Sequence, residues 1–221
     1  MKFEFKIQNS KFKILKAFVF MACLSPLGLL AYDAFRDNLG ANPIEVITRS
    51  LGTWTLIFLF ITLGVTPLRK ISGWNELIKF RRMFGLFAFF YACFHFTTYI
   101  WLDQFFDLQG IVKDVIKRPF ITVGFASFVS LIPLAITSTR GMIRRLGKRW
   151  QRLHRAVYFI AIGGVVHYFW LVKADTSQPL LYGAILTLLL SIRAVPAWGP
   201  SVVIGLRRIV RPVMPNERVG N

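Results

Sequence analysis

Three histidines are the side chains of this sequence whose placement most directly suggests chemistry. His95 and His167 each lie inside a long apolar run, and His154 lies where a basic segment gives way to the second of those runs. An ionisable side chain inside a bilayer is costly and usually faces the interior of a helix bundle. Neutral imidazoles are common metal ligands and hold haem iron axially. The first possibility to weigh is therefore one cofactor held by two histidines.

The composition indicates a membrane protein. The chain has 221 residues, of which 55% are hydrophobic and 17% charged, and its mean hydropathy is +0.53. A typical soluble domain carries about 25% charged residues. The net charge of +18 could suggest nucleic acid, but the basic residues come in clusters between apolar runs. That pattern is typical of cytoplasmic loops, so we expect an all-α integral membrane protein with membrane lipid around it and no nucleic-acid partner.

Six segments are apolar for about the 20 residues that a helix needs to cross a bilayer. A basic stretch precedes the first of them, as in a signal peptide, but no small-x-small cleavage site follows, so we expect it to be retained. Arg193 and Pro196 interrupt the last segment, and the tail beyond Trp198 is expected to be surface-lying or disordered. The loops leave no room for a second domain, which predicts a single transmembrane domain over residues 1–221. The predicted spans are 17–35, 51–68, 83–102, 119–139, 153–172 and 179–198.

The distribution of lysine and arginine predicts the orientation. Counted in chain order, the seven segments that flank the spans contain five, two, five, three, seven, one and five of these residues. The odd-numbered segments hold 22 and the others six. Basic loops stay in the cytoplasm, so both termini are predicted to be cytoplasmic, which six spans allow.

Counting residues from the cytoplasmic side places two histidines at one depth. His95 follows Arg82 by 13 residues, roughly 20 Å along a helix axis. His167 follows Arg155 by 12 residues, roughly 18 Å. The third and fifth spans therefore present imidazoles at matched depth, toward the outer face, which suits axial ligation of one haem between them. A membrane histidine can also serve only as a hydrogen-bonding residue between helices.

Two glycines precede His167 by one helical turn on the same face. Gly163 and Gly164 lack side chains that would keep a flat porphyrin from the backbone. Paired glycines in a membrane helix are also typical of helix–helix packing.

His154 cannot share a haem with His167. On an ideal helix the two point about 140° apart and are separated by roughly 20 Å along the axis. His154 could ligate a second haem near the cytoplasmic face, but no fourth histidine exists to complete that site. The other axial position would then be another residue, water or empty. Contact with a flavin, or a plain interfacial position, are the alternatives.

The basic loop at 140–155 also has two interpretations. Topology alone explains much of its charge. It could instead dock an acidic cytosolic electron donor or bind the phosphate of a flavin or nucleotide. The sequence contains no G-x-G-x-x-G or Walker-type loop, so electrons from a nicotinamide would need another protein to deliver them.

Six motifs are recognisable in the chain: LGKRWQRLH at 146–154, HYFW at 167–170, RPFITVG at 118–124, TPL at 66–68, RRMFGL at 81–86 and FHFTTY at 94–99. By these motifs, from about residue 11 to residue 193, the chain resembles the MsrQ (YedZ) family, the haem-binding membrane subunit of a bacterial system that reduces oxidised methionine in periplasmic proteins. It resembles ferric-reductase and NADPH-oxidase-type membrane domains more weakly.

The resemblance implies an electron-transfer subunit of an oxidoreductase complex in the bacterial inner membrane, rather than its catalytic subunit. It implies haem b, one or two per chain, at the matching positions His95, His154 and His167, and bound FMN. Electrons would come from a cytosolic flavin reductase or a quinone. They would pass to a periplasmic molybdopterin-dependent subunit that repairs methionine sulfoxide. Oxidase relatives hold two stacked haems with paired histidines, whereas this sequence has only three histidines.

Two other classes of function remain open from the residues alone. A transporter or proton pathway could use the membrane histidines as relays, but it would need acidic residues at depth. Asp103 and Asp175 lie only at span ends. A cofactor-free anchor for a periplasmic partner would leave the histidines without a role.

Overall fold

The computed structural model describes residues 2–172 and 174–194, with side chains for residues 12–172 and 174–193. This part of the chain is helical, and a π-helical turn (Tyr99–Asp103) extends the third helix. The tail beyond Trp198 and the end of the sixth predicted span lie outside the described residues. The helices are α1 (Lys2–Phe35), α2 (Pro43–Ser72), α3 (Ile78–Thr98), α4 (Leu108–Lys117), α5 (Pro119–Ile136), α6 (Arg140–Leu146), α7 (Lys148–His154), α8 (Ala156–Leu171) and α9 (Ser177–Ala194).

Four helical segments of the described chain are long and apolar enough to cross a membrane. They contain the first three predicted spans and most of the fourth, which ends at Ile136 rather than at residue 139. Helix α2 begins eight residues earlier than predicted, at Pro43. The counterparts of the fifth and sixth spans, α8 and α9, have 16 and 18 residues. The all-helical membrane architecture is confirmed, while the count of six spans stays a prediction. The four segments are Phe12–Phe35, Pro43–Ser72, Asn75–Asp103 and Pro119–Ile136.

The core is built around α2. Its buried side chains include Leu51 and Leu63, and the helix packs against α3 and also against α8 and α9. Helices α5 and α8 form the second closely packed pair. The aromatic residues Phe58, Phe87 and Tyr91 fill the space between α2 and α3, where the Phe58 ring stacks on both of the others. This packing fixes α2, α3, α5 and α8 around one common interior.

Helix α1 is tied to α3 where Pro26 interrupts its hydrogen bonding. The Tyr91 hydroxyl donates to the Cys23 carbonyl (2.8 Å) and accepts from the Leu27 amide (3.2 Å), so it is inserted into the helix ladder. The Ser25 hydroxyl donates to the Ala22 carbonyl, which Pro26 leaves without an amide donor. The hydroxyl groups of Tyr91 and Ser25 thus replace backbone hydrogen bonds, which matters because lipid offers no hydrogen-bond partners to unpaired backbone groups.

A second proline explains the arginine that interrupts the sixth predicted span. Pro67 in α2 leaves the Leu63 carbonyl without an amide donor. Arg193 Nη2 donates to that carbonyl (2.8 Å), and Nη1 donates to the Tyr158 hydroxyl. Arg193 thus lies in the last turn of α9 and joins α9 to α2 and α8.

The basic loop folds into two short helices around Gly147. This residue adopts a φ of 49° between α6 and α7, which favours glycine. Trp150 then donates from Nε1 to the Thr137 carbonyl (3.0 Å) and attaches α7 to the end of α5. The glycine and the tryptophan of the L-G-K-R-W segment therefore set where His154 lies at the end of α7.

Candidate cofactor site

The structure brings His95 and His167 together at one end of the bundle. Their ring centres are 6.2 Å apart, and the ring planes are inclined by 75°. His95 lies near the end of α3 and His167 near the end of α8, while α2 and α5 both begin at this end. The antiparallel packing thus produces the matched depth that residue counting predicts.

Both rings are oriented by backbone carbonyls through the same nitrogen. His95 Nδ1 lies 2.8 Å from the Thr48 carbonyl oxygen, and His167 Nδ1 lies 2.6 Å from the Phe120 carbonyl oxygen. A carbonyl only accepts, so each Nδ1 carries the proton, and each Nε2 keeps its lone pair. Neither Nε2 has a hydrogen-bond partner in the described part of the chain. This tautomer is the one that metal-binding histidines generally adopt when a second partner fixes them.

Two glycines make room for the rings. A Cβ at Gly124 would lie 2.7 Å from His167 Nδ1, and a Cβ at Gly52 would lie 3.1 Å from His95 Cε1. The first separation is shorter than any real contact of this kind, and the second requires the neighbouring ring to shift. Each imidazole therefore packs directly onto the backbone of a facing helix, α5 for His167 and α2 for His95.

A cavity of about 300 Å³ lies beside the histidine pair, between α2, α3, α5 and α8. Most of its lining is apolar. Its charged lining residues, Arg49, Asp103 and Arg118, come from the same end of the bundle as the histidine pair. Concave sites with an apolar wall and a few polar groups commonly bind cofactors.

The predicted glycine pair divides between two environments. A Cβ on Gly164 would lie 2.8 Å from Leu56 Cδ2, and both residues line the cavity. Gly163 instead faces Ser127 and Val123 of α5 and is not among the lining residues. Gly163 thus serves the packing of α8 on α5, one of the two interpretations given to the pair.

The donor set suits an iron porphyrin. A metal–imidazole bond is about 2 Å long and a ring atom lies roughly 1.1 Å from the ring centre, so two imidazoles on opposite sides of one metal have centres about 6 Å apart. The pair His95 and His167 has this spacing. Among the described residues, no three His, Cys, Asp or Glu side chains gather as a binding site for a metal ion. Two histidines suffice where a porphyrin supplies the remaining ligands.

His154 lies apart from this pair, at the other end of α8. Its ring stacks on Trp150, with centres 3.9 Å apart, and Nδ1 lies 3.1 Å from the Trp150 carbonyl oxygen. Its Nε2 is buried and makes no hydrogen bond within the described part of the chain. The orphaned nitrogen fits a ligand role, yet no second histidine stands near it.

Comparisons with known proteins decide the family. The model of the family described as "Ferric reductase like transmembrane component" matches residues 50–165, just over half of the chain. A protein of Herminiimonas arsenicoxydans is 59% identical over 188 residues, which cover 84% of this chain and 86% of that protein. It is named protein-methionine-sulfoxide reductase heme-binding subunit MsrQ.

The chain belongs to the MsrQ family.

Other members agree. Proteins of the same name from Azospira oryzae and Rhodospirillum rubrum are 55% and 56% identical. The matched regions cover 82% and 81% of this chain, and 78% and 86% of those proteins. Membership confirms the resemblance read from the motifs. With the four apolar helices, it makes this chain a ferric-reductase-like, multi-pass membrane protein of the MsrQ family.

Sequence reasoning missed the residues that orient the histidines. Gly52 gave no signal, because its role depends on the approach of α3. Gly124 is the last residue of the RPFITVG motif, and Phe120 lies within it. The motif was therefore noticed in the sequence, but the contact of these two residues with His167 was not predicted. Only the structure shows that this segment places the Phe120 carbonyl and the missing side chain of Gly124 against His167.

Proposed function

We propose that this chain is the haem b-containing electron-transfer subunit of a methionine-sulfoxide-repairing reductase in the bacterial inner membrane. It accepts electrons from a cytoplasmic flavin reductase or from quinol in the membrane. It passes them to a periplasmic, molybdopterin-dependent catalytic subunit. The whole chain, residues 1–221, acts as one six-span domain with both termini in the cytoplasm.

One observation carries the proposal: the paired rings of His95 and His167, each with Nδ1 on a carbonyl and Nε2 available. When bound, haem supplies one-electron redox chemistry. The protein's own residues hold the two imidazoles at a fixed separation and tautomer. Because Thr48 and Phe120 use backbone carbonyls, the orientation of the rings depends on α2 and α5.

The direction of transfer follows from the two ends of the bundle. The histidine pair lies at the end opposite the basic loop, which holds seven Lys and Arg residues between 140 and 155. If that loop is cytoplasmic, the pair lies on the periplasmic side, where the catalytic subunit works. The loop also offers the positive surface that an acidic electron donor or the phosphate of FMN would need.

The family name supports a divided enzyme. The relatives are named as the heme-binding subunit of a protein-methionine-sulfoxide reductase, which implies a separate subunit that reduces the sulfoxide. This chain offers a cofactor cavity and no nucleotide-binding motif of its own. Both features suit a carrier of electrons between two other proteins.

Optical spectroscopy of the purified protein in detergent tests the proposal. We expect a Soret band that shifts on reduction and a pyridine haemochrome typical of haem b. The variants His95→Ala and His167→Ala should each lose the haem at the pair. In proteoliposomes, reduced flavin or quinol on one side should reduce the wild type, and the catalytic subunit with a methionine-sulfoxide peptide should reoxidise it.

The control is Tyr32→Phe, which alters an exposed aromatic residue of α1 that does not line the cavity and should leave the spectrum unchanged. A folded, monodisperse wild type that remains colourless after expression with ample haem would contradict the proposal. Proton flux through liposomes without any redox donor would instead favour a transporter.

A further inference from the structure

Helix α4 is a separate amphipathic element between two membrane-spanning segments. It covers Leu108–Lys117, with Asp107 as its N-cap: the Asp107 side chain accepts from the Gln109 amide (3.0 Å). A single residue, Arg118, separates it from α5, which starts at Pro119. The N-terminus of α5 and the C-terminal end of α3 therefore place α4 at the end of the bundle that holds the histidine pair.

One sector of α4 faces the protein. Asp114 receives hydrogen bonds from Gln104 and Tyr99 and pairs with Arg118 at 3.3 Å. Val115 lines the cavity, and its carbonyl accepts from the Thr122 hydroxyl of α5. These contacts fix how α4 is rotated about its own axis.

Two further sectors of α4 are exposed. At 100° per residue, Leu108, Val112 and Ile116 share one apolar stripe about 80° wide. These three side chains are 58% to 75% exposed. Next to the stripe, on the side away from the protein, follow the exposed residues Gln109, Lys113 and Lys117. Around the helix axis, the sector that faces the protein is followed by the apolar stripe and then by the basic sector.

The two aromatic residues that lead into α4 are exposed as well. Phe105 and Phe106 follow the π-helical turn of α3 and are 78% and 61% exposed. Both have a positive φ, 47° and 61°, which is rare for bulky side chains. Five large apolar side chains thus stand exposed within twelve residues, far more than isolated surface hydrophobic residues would give.

We propose that α4 lies in the membrane–water interface, with the apolar stripe of Leu108, Val112 and Ile116, and the preceding Phe105 and Phe106, inserted among the acyl chains. Lys113 and Lys117 then lie at the level of anionic lipid headgroups. The occupant of this apolar face is the lipid of the leaflet nearest the histidine pair. The proposal needs only that the chain spans the membrane, and it holds whether or not haem binds.

Continuity favours lipid over a protein partner. The helix α4 is joined through one residue to α5, whose apolar side chains are themselves exposed, such as Val129 and Ile136. A helix with lysines beside an exposed apolar stripe has the pattern of interfacial helices. The contacts of Asp114 fix the rotation of α4. In this rotation the apolar stripe lies next to the side of the bundle, and the two lysines point away from the bundle.

Spin labelling of the full chain in nanodiscs of phosphatidylethanolamine and phosphatidylglycerol tests this placement. Nitroxides go on Val112→Cys and Ile116→Cys, with Gln109→Cys and Lys113→Cys as matched positions on the basic sector. The background carries Cys23→Ala and Cys93→Ser, because both native cysteines are free thiols. We expect collision with water-soluble NiEDDA to be several-fold lower, and collision with oxygen higher, at positions 112 and 116.

A second measurement avoids substitutions. A phospholipid that carries a diazirine on its acyl chain should label the 105–116 segment of the unmodified protein on Leu108, Val112 or Ile116, as located by mass spectrometry. Equal NiEDDA accessibility at all four spin-label positions would overturn the proposal, as would absence of photolabel in this segment while α5 is labelled. Shielding that arises only when the catalytic subunit is added would show a protein interface instead.

Discussion

The His167 ring occupies the space that a side chain at position 124 would fill. A Cβ on Gly124 would lie 2.7 Å from His167 Nδ1 and 2.9 Å from Cε1. The same Nδ1 makes a 2.6 Å hydrogen bond to the carbonyl of Phe120, one turn earlier on α5. Ring position and ring tautomer are therefore set by the backbone of one neighbouring helix.

Gly124→Ala should impair cofactor binding without unfolding the protein. The added methyl group pushes the His167 ring off the Phe120 carbonyl, and loss of such an orienting contact weakens metal binding by about 10–100-fold. Haem titration of the apoprotein, followed at the Soret band, measures the change. Gly28→Ala is the matched control, because nothing lies within 4 Å of a Cβ there. Equal affinity in the two variants would show that the close contact has no effect on the site.

Gly52→Ala should have the same effect, but weaker. A Cβ there would lie 3.1 Å and 3.2 Å from His95 Cε1 and Nδ1, so the ring needs to yield by only a few tenths of an ångström. We expect an affinity loss at or below the lower end of the range of about 10–100-fold. The same titration checks it. A larger loss for Gly52→Ala than for Gly124→Ala would contradict the geometric ranking.

His154→Ala should leave the haem at His95 and His167 in place. His154 is the last residue of α7, before the N-terminus of α8, whereas His167 lies near the C-terminus of α8. A pyridine haemochrome assay of haem per polypeptide, run on wild type and variant, measures any haem that His154 holds. If His154→Ala still folds but loses all haem, the haem at His95 and His167 depends on His154, which would contradict this prediction.

Tyr91→Phe should destabilise the attachment of α1 to α3. The hydroxyl satisfies both the Cys23 carbonyl and the Leu27 amide, and leaving buried polar groups open costs about 1–3 kcal/mol. Unfolding in mixed detergent micelles, followed by circular dichroism, measures the difference. Tyr32→Phe removes an exposed hydroxyl instead and should be neutral. Equal stability of the two variants would show that α1 satisfies the Cys23 carbonyl and the Leu27 amide without the Tyr91 hydroxyl.

Arg193→Met should loosen α9 from α2 and α8. The substitution removes the donor to the Leu63 carbonyl, which Pro67 leaves open, at a cost of about 1–3 kcal/mol. The same unfolding experiment applies, with Arg144→Met in the exposed loop as the control for loss of charge. If Arg193→Met is as stable as the wild type, the Arg193 side chain does not contribute to joining α9 to α2 and α8.

The sequence was most informative about the depth of the histidines in the bundle and about the class and family of the protein. Apolar length predicts the helices, because a bilayer sets how many residues must be apolar, and four of those segments pass the same test in the structure. Counting from Arg82 and Arg155 predicts that His95 and His167 meet, since helical rise is constant. Motifs such as LGKRWQRLH predicted the family, which the relatives confirm.

The sequence was least informative about positions whose role depends on a neighbouring helix. Gly163 was grouped with Gly164 because the two are adjacent in the chain, but they face different neighbours, α5 and the cavity. Arg193 was read as an interruption, although it compensates for Pro67 on another helix, 126 positions earlier in the sequence. The amphipathic helix α4 lies between two of the predicted spans and was not predicted, because its ten residues are too few for a span.

Local quantities, namely residue hydropathy, charge and the rise of a helix, were enough to predict a helical membrane protein with two histidines at one depth. The direction in which each imidazole turns depends on the packing of the helices instead. Rotation about a side-chain bond is fixed by partners far away in the chain, the carbonyls of Thr48 and Phe120 and the missing side chains of Gly52 and Gly124, which packing of α2 and α5 brings within contact.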